Sequence, residues 1–576
     1  MSLQSLAGVP RRVRVAAVLG IGLGALGGLV PPVLADSLPF SVGIVVNNGT
    51  LMPGESVFFN AYNQPSINDA GLVVFRARGK GGGQGQPPTG IYSRLLPALP
   101  FLPAVPSAVT TRGSLVPQPN NQDATFVEFP SFPRLDASSD ALAFRGQSSP
   151  VWRVSPDGEL LGTSGVYSTL DGVLGTAVSQ LGALPGFERY AVPGTNLRFD
   201  QFPGAPSPTG DRVVFKGNWT TASGGSATGV YFRDVRALGG NAPLQRIADT
   251  QTLIPGDPLG RNFGSTAPPS AAGSRAVFLG VDVEEAPTVG GLYLSQLDGD
   301  PEALTPLVAI GGLADQLGPG GLRQIGEAVS FNGKALAFWG AWGEETVQQQ
   351  LLCGTDGNQA LLEYCREQSP AGDGVYIKEV PVNQGIFFTE VDSLVTRLVA
   401  STGAQFDTFL NWNFSGRPPG VGESEEPESE LELARWRSSA FLALEDRWLA
   451  FKAEQLAPVD GSVVAQVQDG IYLADLLTRA NGVQSLLQTG QDGGMLDPQA
   501  KGMAITALGL ERDGFRQGRL AFVASMANEE ESWAGIYTAG APVPGPLPLL
   551  GVALAFQRAR LLRHRQALRR PDQHRG

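Results

Sequence analysis

The body of this 576-residue chain contains no histidine, because its two histidines, His564 and His574, lie within the last 13 residues. Without histidine, the body can form neither a Ser-His-Asp nor a Cys-His nucleophile system, and it has no imidazole for a metal site. Charged residues make up only 17% of the chain and long helical heptads are absent, which argues against a coiled coil or helical bundle. Glycine (75) and proline (44) are abundant instead. We therefore expect a loop-rich, mostly β protein.

Basic residues are also scarce in the body. Residues 36–541 contain 32 Lys and Arg against 53 Asp and Glu, a net charge of −21, because ten of the basic residues lie in the two chain ends. Such a surface repels phosphate backbones. We expect no nucleic-acid partner.

The N-terminal segment has the pattern of an export signal. Arginines at positions 11, 12 and 14 precede an apolar run over residues 15–30, and the small residues that follow end at Ala35. We predict a signal peptide over 1–35 with cleavage after Ala35; a retained membrane anchor is the alternative. Export to an oxidising compartment would let Cys353 and Cys365 form a disulfide, with two free thiols as the alternative.

The C-terminal segment, 541–576, combines a proline-rich spacer, a short apolar stretch and a basic cluster. The cluster begins with Arg558, Arg560, Arg563 and Arg565, which the positive-inside rule would hold on the cytoplasmic side of a membrane. The apolar stretch 547–556 is too short to span stably by itself. The spacer and apolar stretch together contain Val543, Pro544, Gly545, Pro546, Leu547, Pro548, Leu549, Leu550 and Gly551.

This sequence of Val543 to Gly551 resembles the sorting tail of PEP-CTERM proteins of Gram-negative-type bacteria, in its VPGPLPLLG variant. The resemblance implies recognition by an exosortase-like membrane transpeptidase, transient membrane contact through the tail, and delivery to the outer surface or the extracellular matrix. The chain continues beyond its Arg cluster, from Gln566 to Gly576, whereas the family usually stops there. A disordered basic tail on a secreted protein is the alternative.

The body is a repeat. A short strand-like run ending in phenylalanine recurs seven times, with separations of 69, 71, 63, 60, 113 and 71 residues. These phenylalanines are Phe75, Phe144, Phe215, Phe278, Phe338, Phe451 and Phe522. A second strand-like element follows in six units, as Gly90-Ile-Tyr92, Gly229-Val-Tyr231, Gly291-Leu-Tyr293, Gly374-Val-Tyr376, Gly470-Ile-Tyr472 and Gly535-Ile-Tyr537. We predict that the second unit lacks it and has Pro150-Val-Trp152 in a nearer position.

Tight turns precede several of the phenylalanine strands, as at Asn68-Asp-Ala-Gly71 and Asn332-Gly333. Asn68 and Asp69 could also be metal ligands, but the matching positions in other units are not acidic, so we interpret them as turn residues.

Repeats of several antiparallel strands gain stability by stacking around an axis. Seven copies favour a seven-bladed β-propeller over 36–540, with a linear β-solenoid or two stacked β domains as alternatives. The seventh unit lacks its last strand, and a matching strand stands at the start of the mature chain, over 40–47. We predict that this strand completes the last blade and closes the ring. The body is also similar to exported bacterial repeat proteins found ahead of PEP-CTERM tails, best over Pro65 to Phe75, which implies fold and location only.

Two insertions, 345–371 and 401–435, interrupt the repeat. The second contains Glu423, Glu425, Glu426, Glu428, Glu430 and Glu432, which repel one another and favour a solvated loop. Carboxylates could bind calcium there or at Asp298-Gly-Asp300, but no Asp-x-Asp-x-Asp-Gly loop is present. We expect no cofactor, with calcium as the alternative.

No ordered catalytic motif appears in the body. We therefore predict a non-catalytic exported protein that binds or organises an extracellular polysaccharide or another surface protein. The alternative is a secreted carbohydrate-active propeller enzyme that uses paired carboxylates, which needs no histidine.

Overall fold

The computed structural model describes residues 40–540 apart from 82–86, 97–104, 119–121, 154–157, 237–241, 285, 354–365, 368, 370–371, 373, 404–405, 410–440, 459–464 and 478–481. The predicted signal peptide, with Ala35, and the whole sorting tail lie outside the described residues. The described strands form seven antiparallel sheets arranged as the blades of a β-propeller, which confirms the predicted fold.

The first strand, β1 (Ser41–Asn47), precedes the seven units, and the first three blades follow it in chain order. Blade 1 contains β2 (Phe59–Tyr62), β3 (Ser66–Ile67), β4 (Leu72–Gly79), β5 (Thr89–Leu95) and β6 (Ser107–Thr111). Blade 2 contains β7 (Phe126–Glu128), β8 (Arg134–Leu135), β9 (Leu142–Ser148), β10 (Ser164–Leu170) and β11 (Val173–Ser179). Blade 3 contains β12 (Ser207–Thr209), β13 (Arg212–Thr220), β14 (Ser226–Asp234) and β15 (Gln245–Asp249).

The remaining four blades repeat this order. Blade 4 contains β16 (Ser265–Thr266), β17 (Ser270–Ala272), β18 (Arg275–Val281), β19 (Gly290–Gln296) and β20 (Thr305–Ala309). Blade 5 contains β21 (Leu322–Ile325), β22 (Ser330–Phe331), β23 (Ala335–Leu352), β24 (Val375–Glu390) and β25 (Val395–Ser401). Blade 6 contains β26 (Leu442–Leu444), β27 (Trp448–Pro458), β28 (Ala465–Asp475) and β29 (Val483–Gln488). Blade 7 contains β30 (Ala504–Gly509), β31 (Phe515–Arg516), β32 (Arg519–Ala527), β33 (Ser532–Gly540) and β1.

Helical structure is confined to short segments between strands. The α-helix α1 (Ala314–Leu317) and the 3-10 turns Gln180–Ala183, Glu188–Tyr190, Gly493–Met495 and Pro498–Ala500 are the described ones. No helix within the described ranges is both long and apolar enough to cross a membrane.

Each blade is built on a pair of aromatic side chains that face each other across its two central strands. The ring centroids of these pairs are 5.3–6.1 Å apart. The pairs are Phe75–Tyr92, Phe144–Tyr167, Phe215–Tyr231, Phe278–Tyr293, Phe338–Phe387, Phe451–Tyr472 and Phe522–Tyr537. Each pair packs against the preceding blade, as Phe144 and Tyr167 do against Val74 and Ile91 of blade 1. Burial of these apolar surfaces joins the blades into a ring.

The glycine two positions before the second aromatic residue is required by close approach. A Cβ atom at Gly165 would lie 3.0 Å from the Tyr167 hydroxyl and 3.0 Å from the Val178 carbonyl oxygen of the next strand. Next to this glycine, the pairing with the outermost strand shifts register in every blade. A shared β-bulge is therefore part of the repeat.

Two assignments of the second element were wrong. The second unit does have it, as Gly165-Val-Tyr167 in β10, so it does not lack it in favour of Pro150-Val-Trp152. In the fifth unit Phe338 pairs with Phe387, so the element is Gly385-Ile-Phe387 and not Gly374-Val-Tyr376. Phenylalanine replaces the tyrosine in this unit. The similar tripeptide Gly374-Val-Tyr376 lies farther along the same pair of strands, which form an unusually long hairpin.

That hairpin is the first insertion. Thr346–Leu352 pair with Val375–Pro381, so the insertion prolongs the two central strands of blade 5 as a two-stranded arm that reaches beyond the predicted range 345–371. Of the second insertion, predicted over 401–435, residues 404–405 and 410–435 lie outside the described residues. Thr408 within it forms a β-bridge with Glu454 of blade 6.

The two faces of the propeller differ in their connections. The turn face carries the tight turns at 68–71, 210–211, 273–274, 332–334 and 517–518, which link the innermost strand to the next strand in five of the seven blades. Asn68 Oδ1 accepts a hydrogen bond from the Leu72 amide in the first of these turns, which confirms that Asn68 and Asp69 are turn residues. The opposite face, which we call the arm face, carries the blade 5 arm.

Blade 7 is completed by the other end of the chain, as predicted. Strand β1 pairs antiparallel with β33, with Ser41 opposite Gly540 on the turn face. The buried carboxylate of Asp497 strengthens this closure because its Oδ2 accepts hydrogen bonds from Asn47 Nδ2 (2.7 Å) and Trp533 Nε1 (2.9 Å). These bonds link the last residue of β1 to the sheet of blade 7.

Candidate functional site at the propeller axis

The innermost strands place one equivalent residue from each blade around the axis. In each blade, this residue of the innermost strand pairs with the residue directly before the repeat phenylalanine on the next strand. In four blades it is a buried serine. We call this set the axial ring: Ser66, Arg134, Ser207, Ser270, Ser330, Ala443 and Gly514.

The serines of the axial ring join neighbouring blades. Ser66, Ser207 and Ser330 each accept a hydrogen bond through Oγ from a backbone amide of the next blade, at 2.9–3.1 Å. Ser270 instead donates to the Val329 carbonyl of blade 5 at 2.6 Å. A small hydroxyl side chain at this position thus satisfies backbone groups that would otherwise be buried without partners.

Arg134 is the exception in the axial ring. Its guanidinium is completely buried, and it donates to Asp513 of blade 7, to the Pro269 carbonyl (2.8 Å) and to Ser270 Oγ (3.1 Å) of blade 4. One side chain therefore connects three blades across the axis. A buried charge of this kind is tolerated only when it is paired and hydrogen-bonded.

Asp513 belongs to a short charged segment before β31. Its Oδ1 accepts a bond from Arg516 Nη2 at 3.4 Å, and Glu511 Oε1 accepts one from Arg512 Nε at 2.6 Å. Together with Arg134 these four residues form what we call the axial cluster. Arg516 also donates to the Leu444 carbonyl of blade 6 at 3.2 Å, and the Arg512 carbonyl accepts a bond from Ser330 of blade 5. With the bonds of Arg134 to blade 4, the cluster thus contacts blades 4, 5 and 6 as well as its own blade 7.

The electrostatics of the cluster keep the Asp513 carboxylate ionised. Burial raises the pKa of the Asp513 carboxyl, but the positive charges of Arg134 and Arg516 outweigh that effect and leave the pKa below its ordinary value. Burial lowers the pKa of Arg512, and the adjacent Glu511 carboxylate outweighs this, so that its pKa is raised. A carboxylate held in this way does not donate a proton near neutral pH.

Donors are left over in the same cluster. The buried atoms Arg512 Nη1 and Arg516 Nε have no hydrogen-bond partner among the described residues. The cluster therefore retains buried hydrogen-bond donors, whereas its two carboxylates are paired with its own arginines. Within the described part of the chain, no group of three or more His, Cys, Asp or Glu side chains is placed to hold a metal ion.

Of the residues that the sequence singled out, those that the structure describes lie away from the axial cluster. Asp298 lies at the rim and forms an ion pair with Arg212 of the neighbouring blade, while Asp300 accepts the Glu302 amide within its own loop at 3.1 Å. Cys353 is buried at the end of the arm strand β23. Cys365 lies outside the described residues, so the disulfide stays a prediction. The glutamates of the second insertion, 423–432, also lie outside them.

Sequence reasoning did not identify the axial cluster. A usable signal was present, because the residue eight to ten positions before the repeat phenylalanine is serine in four units and arginine in one. A single charge in an otherwise small and apolar strand requires a buried partner. The partner could not be found from the chain alone, since Asp513 is 379 residues away.

Comparisons with known proteins give distant structural similarities, from which we argue nothing. No family model and no curated protein matches the chain. Among solved structures, it is similar to the β-propeller domain of the Trilobed protease from Pyrococcus furiosus, with 10% identity over 61% of this chain and 84% of that one, at a TM-score of 0.24.

Two further structures are similar at the same level. Prolyl oligopeptidase B from Galerina marginata has 10% identity over 84% of this chain and half of that chain, at a TM-score of 0.35. A family 117 glycoside hydrolase from the marine bacterium Zobellia galactanivorans has 10% identity over 61% of this chain and 92% of that chain, at a TM-score of 0.26. We draw no functional argument from similarities this weak.

Proposed function

We propose that this chain is a non-catalytic exported surface or extracellular-matrix protein whose propeller binds or organises an extracellular polymer or another surface protein. The observation that carries the proposal is the pairing of charges at the axis. A propeller glycosidase needs one protonated and one ionised carboxyl group near its substrate. Here Asp513 is held by Arg134 and Arg516, and Glu511 by Arg512.

The path of the chain supports a surface location. Strand β33 ends at Gly540 on the turn face, directly opposite Ser41, so both the mature N-terminus and the sorting tail leave from one corner of that face. A tail handled by an exosortase-like enzyme would hold the turn face toward the membrane. The arm face, with its long connections, would then be directed outward, where a polymer can be reached.

A binding and hydrolysis screen tests the proposal. Residues 36–540, which contain every strand of the closed ring, are incubated with a panel of polysaccharides, with calcium present and absent. We expect saturable binding without new reducing ends. Turnover that is abolished when one or two carboxylates are changed to amides would instead establish the enzyme, and a calcium requirement would show that a bound cation takes part.

Intact-mass analysis of the protein recovered from cells tests the export route separately. We expect a mature species that lacks residues 1–35 and the Arg-rich segment after 557. The presence of His564 in the mature species would contradict processing at the tail. Reduction should add about 2 Da if Cys353 and Cys365 are paired.

A further inference from the structure

The position directly after the repeat phenylalanine carries a cation in four blades. The four residues are Arg76, Arg145, Lys216 and Lys452. In the strand register this position stands on the side of the blade that faces the next one, since its partners across the sheet, such as Ile91 and Val166, pack there. Each cation is thus held near a boundary between two blades, where burial makes an unpaired charge costly.

Three of these cations have partners. Arg76 of blade 1 forms an ion pair with Glu128 of blade 2 at 2.7 Å and also bonds Asn63. Lys452 of blade 6 forms an ion pair with Asp469 of its own blade at 2.6 Å. Lys216 of blade 3 is buried and also has a partner.

Arg145 of blade 2 differs from the other three. Among the described residues no hydrogen bond or ion pair involves its guanidinium, and burial alone lowers its pKa, to about 10. The reason is visible in the repeat. Glu128, the partner of Arg76, pairs across the sheet of blade 2 with Gln147, which stands three residues after Phe144. In blade 3 the residue three positions after the repeat phenylalanine is Asn218, and its partner is the exposed Gln201. Gln201 is therefore the equivalent of Glu128. A neutral amide stands where the carboxylate would be.

We propose that the boundary between blades 2 and 3 binds a carboxylate group of an acidic extracellular polysaccharide through Arg145, in the place that Glu128 takes at the boundary between blades 1 and 2. This rests on the proposed function, because the polymer is the ligand assumed there. A guanidinium recognises a planar carboxylate through two parallel hydrogen bonds, and such charge-assisted bonds are the strong ones. A uronic-acid unit of a polysaccharide carries this group.

The body's net charge of −21 shapes the kind of ligand that fits. At low ionic strength, long-range repulsion opposes the binding of a highly charged polyanion. The attraction within a single, partly buried ion pair is weakened by salt much less than that between exposed charges. We therefore expect recognition of individual carboxylates, with an affinity that does not fall as the salt concentration rises.

Calorimetric titration of residues 36–540 with a galacturonate tetramer tests the proposal, and the methyl-esterified tetramer is the matched control. We expect binding of the acid and not of the ester. Arg145→Gln should weaken binding about tenfold or more, as expected for loss of a hydrogen-bonded charge pair, and Arg145→Lys should lose less. Inorganic sulfate is a third arm, because a site for any oxyanion would take it as readily.

Gln201→Glu is the most informative variant. It supplies the carboxylate that Arg145 lacks, so it should weaken tetramer binding about as much as Arg145→Gln while the melting temperature is maintained or raised. Arg76→Gln is the control: it breaks the pair with Glu128, should lower the melting temperature, and should leave tetramer affinity unchanged.

Several results would overturn the inference. These are no binding of the tetramer, equal binding of its ester, sulfate binding as tight as that of the tetramer, or unchanged affinity in both Arg145→Gln and Gln201→Glu. Binding of a neutral polymer that is indifferent to Arg145 would refute the carboxylate site and leave the proposed function intact. Hydrolysis of the tetramer would refute the proposed function itself.

Discussion

Blades 3 and 7 have the same core but are assembled differently. Blade 3 is formed by one continuous segment, and its aromatic pair Phe215–Tyr231 has ring centroids 6.1 Å apart; in blade 7 the pair Phe522–Tyr537 is 6.0 Å apart, but the outermost strand comes from the other end of the chain. Polar groups compensate for the missing covalent link. Among the described residues, five buried charged side chains lie in or just before blade 7, Asp497, Glu511, Arg512, Asp513 and Arg516, against three in blade 3, Lys216, Arg233 and Asp249.

The largest effect should follow from removing β1. A chain that begins at residue 48 loses the strand that pairs with β33 and exposes the surface covered by Val45 and Val46, which are completely buried. Two such side chains contribute about 3–6 kcal/mol by burial alone, and β33 becomes an unpaired edge. Thermal unfolding should show a sharp loss of stability and aggregation. A chain that begins at residue 40 keeps all of β1 and is the control; an equal melting temperature for both chains would contradict the closure.

The next effect concerns the axial cluster, which binds blade 7 to blades 2 and 4. Asp513→Asn leaves the buried Arg134 without its anion and should destabilise the fold by about 3–5 kcal/mol. Arg134→Ser copies the residue that four other blades have, so the double variant Arg134→Ser/Asp513→Asn should recover part of that loss. Chemical denaturation of the four proteins gives the coupling. A double variant no more stable than Asp513→Asn alone would contradict this account.

The same pair predicts a pH dependence. The pKa of Asp513 is lowered in the folded state, so its contribution to stability is fully present above its unfolded pKa of about 3.9 and is lost as the pH falls through the folded value. The stability difference between the native chain and Asp513→Asn should therefore be constant at neutral pH and shrink in acid. A difference that persists unchanged to about pH 2 would show that another group is responsible.

Much of this architecture could be predicted from the sequence because the repeat is local. The seven phenylalanines and the split of the last unit between the chain ends were sufficient for the ring and its closure. The second element failed in units two and five, since Tyr167 follows a long loop and Phe387 replaces tyrosine after the arm. The axial cluster was missed for a different reason, because pairing between Arg134 and Asp513 depends on the closed ring.

A smaller effect should come from Asp497, which has a counterpart of different origin in blade 3. There the carboxylate beside Tyr231 is Asp249 of the outermost strand, whereas in blade 7 the equivalent strand position is Asn47 and Asp497 supplies the carboxylate from a loop. Asp497→Asn should cost about 1.5–3 kcal/mol through weakened bonds to Asn47 and Trp533.

Exchanging the two groups sharpens this comparison. Asn47→Asp alone places two carboxylates together and should be more destabilising than Asp497→Asn, whereas the exchange Asn47→Asp/Asp497→Asn gives blade 7 the arrangement of blade 3 and should recover stability. Melting temperatures of the single and double variants decide it. Additive losses would mean that the two side chains act independently.

The smallest effect is expected at the rim, where blade 4 contacts blade 3. Asp298, which pairs with Arg212, is 62% exposed at its side chain, so Asp298→Asn should change the free energy of unfolding by less than about 1 kcal/mol. Chemical denaturation at low and high salt measures this change. A loss of unfolding free energy as large as that of Asp513→Asn would contradict the expectation, because it would mean that an exposed ion pair stabilises the contact between the blades as much as the buried one does.

The pairing of Ser41 with Gly540 has a topological consequence. A short linker between these two residues would form a hairpin of the kind that joins the last two strands of the other blades, and the chain could then be opened in the turn at 221–225 of blade 3. Such a circular permutant would keep every blade, but its two chain ends would leave from the opposite face. The point at which the natural chain opens the ring therefore decides from which face of the propeller its two ends leave the fold.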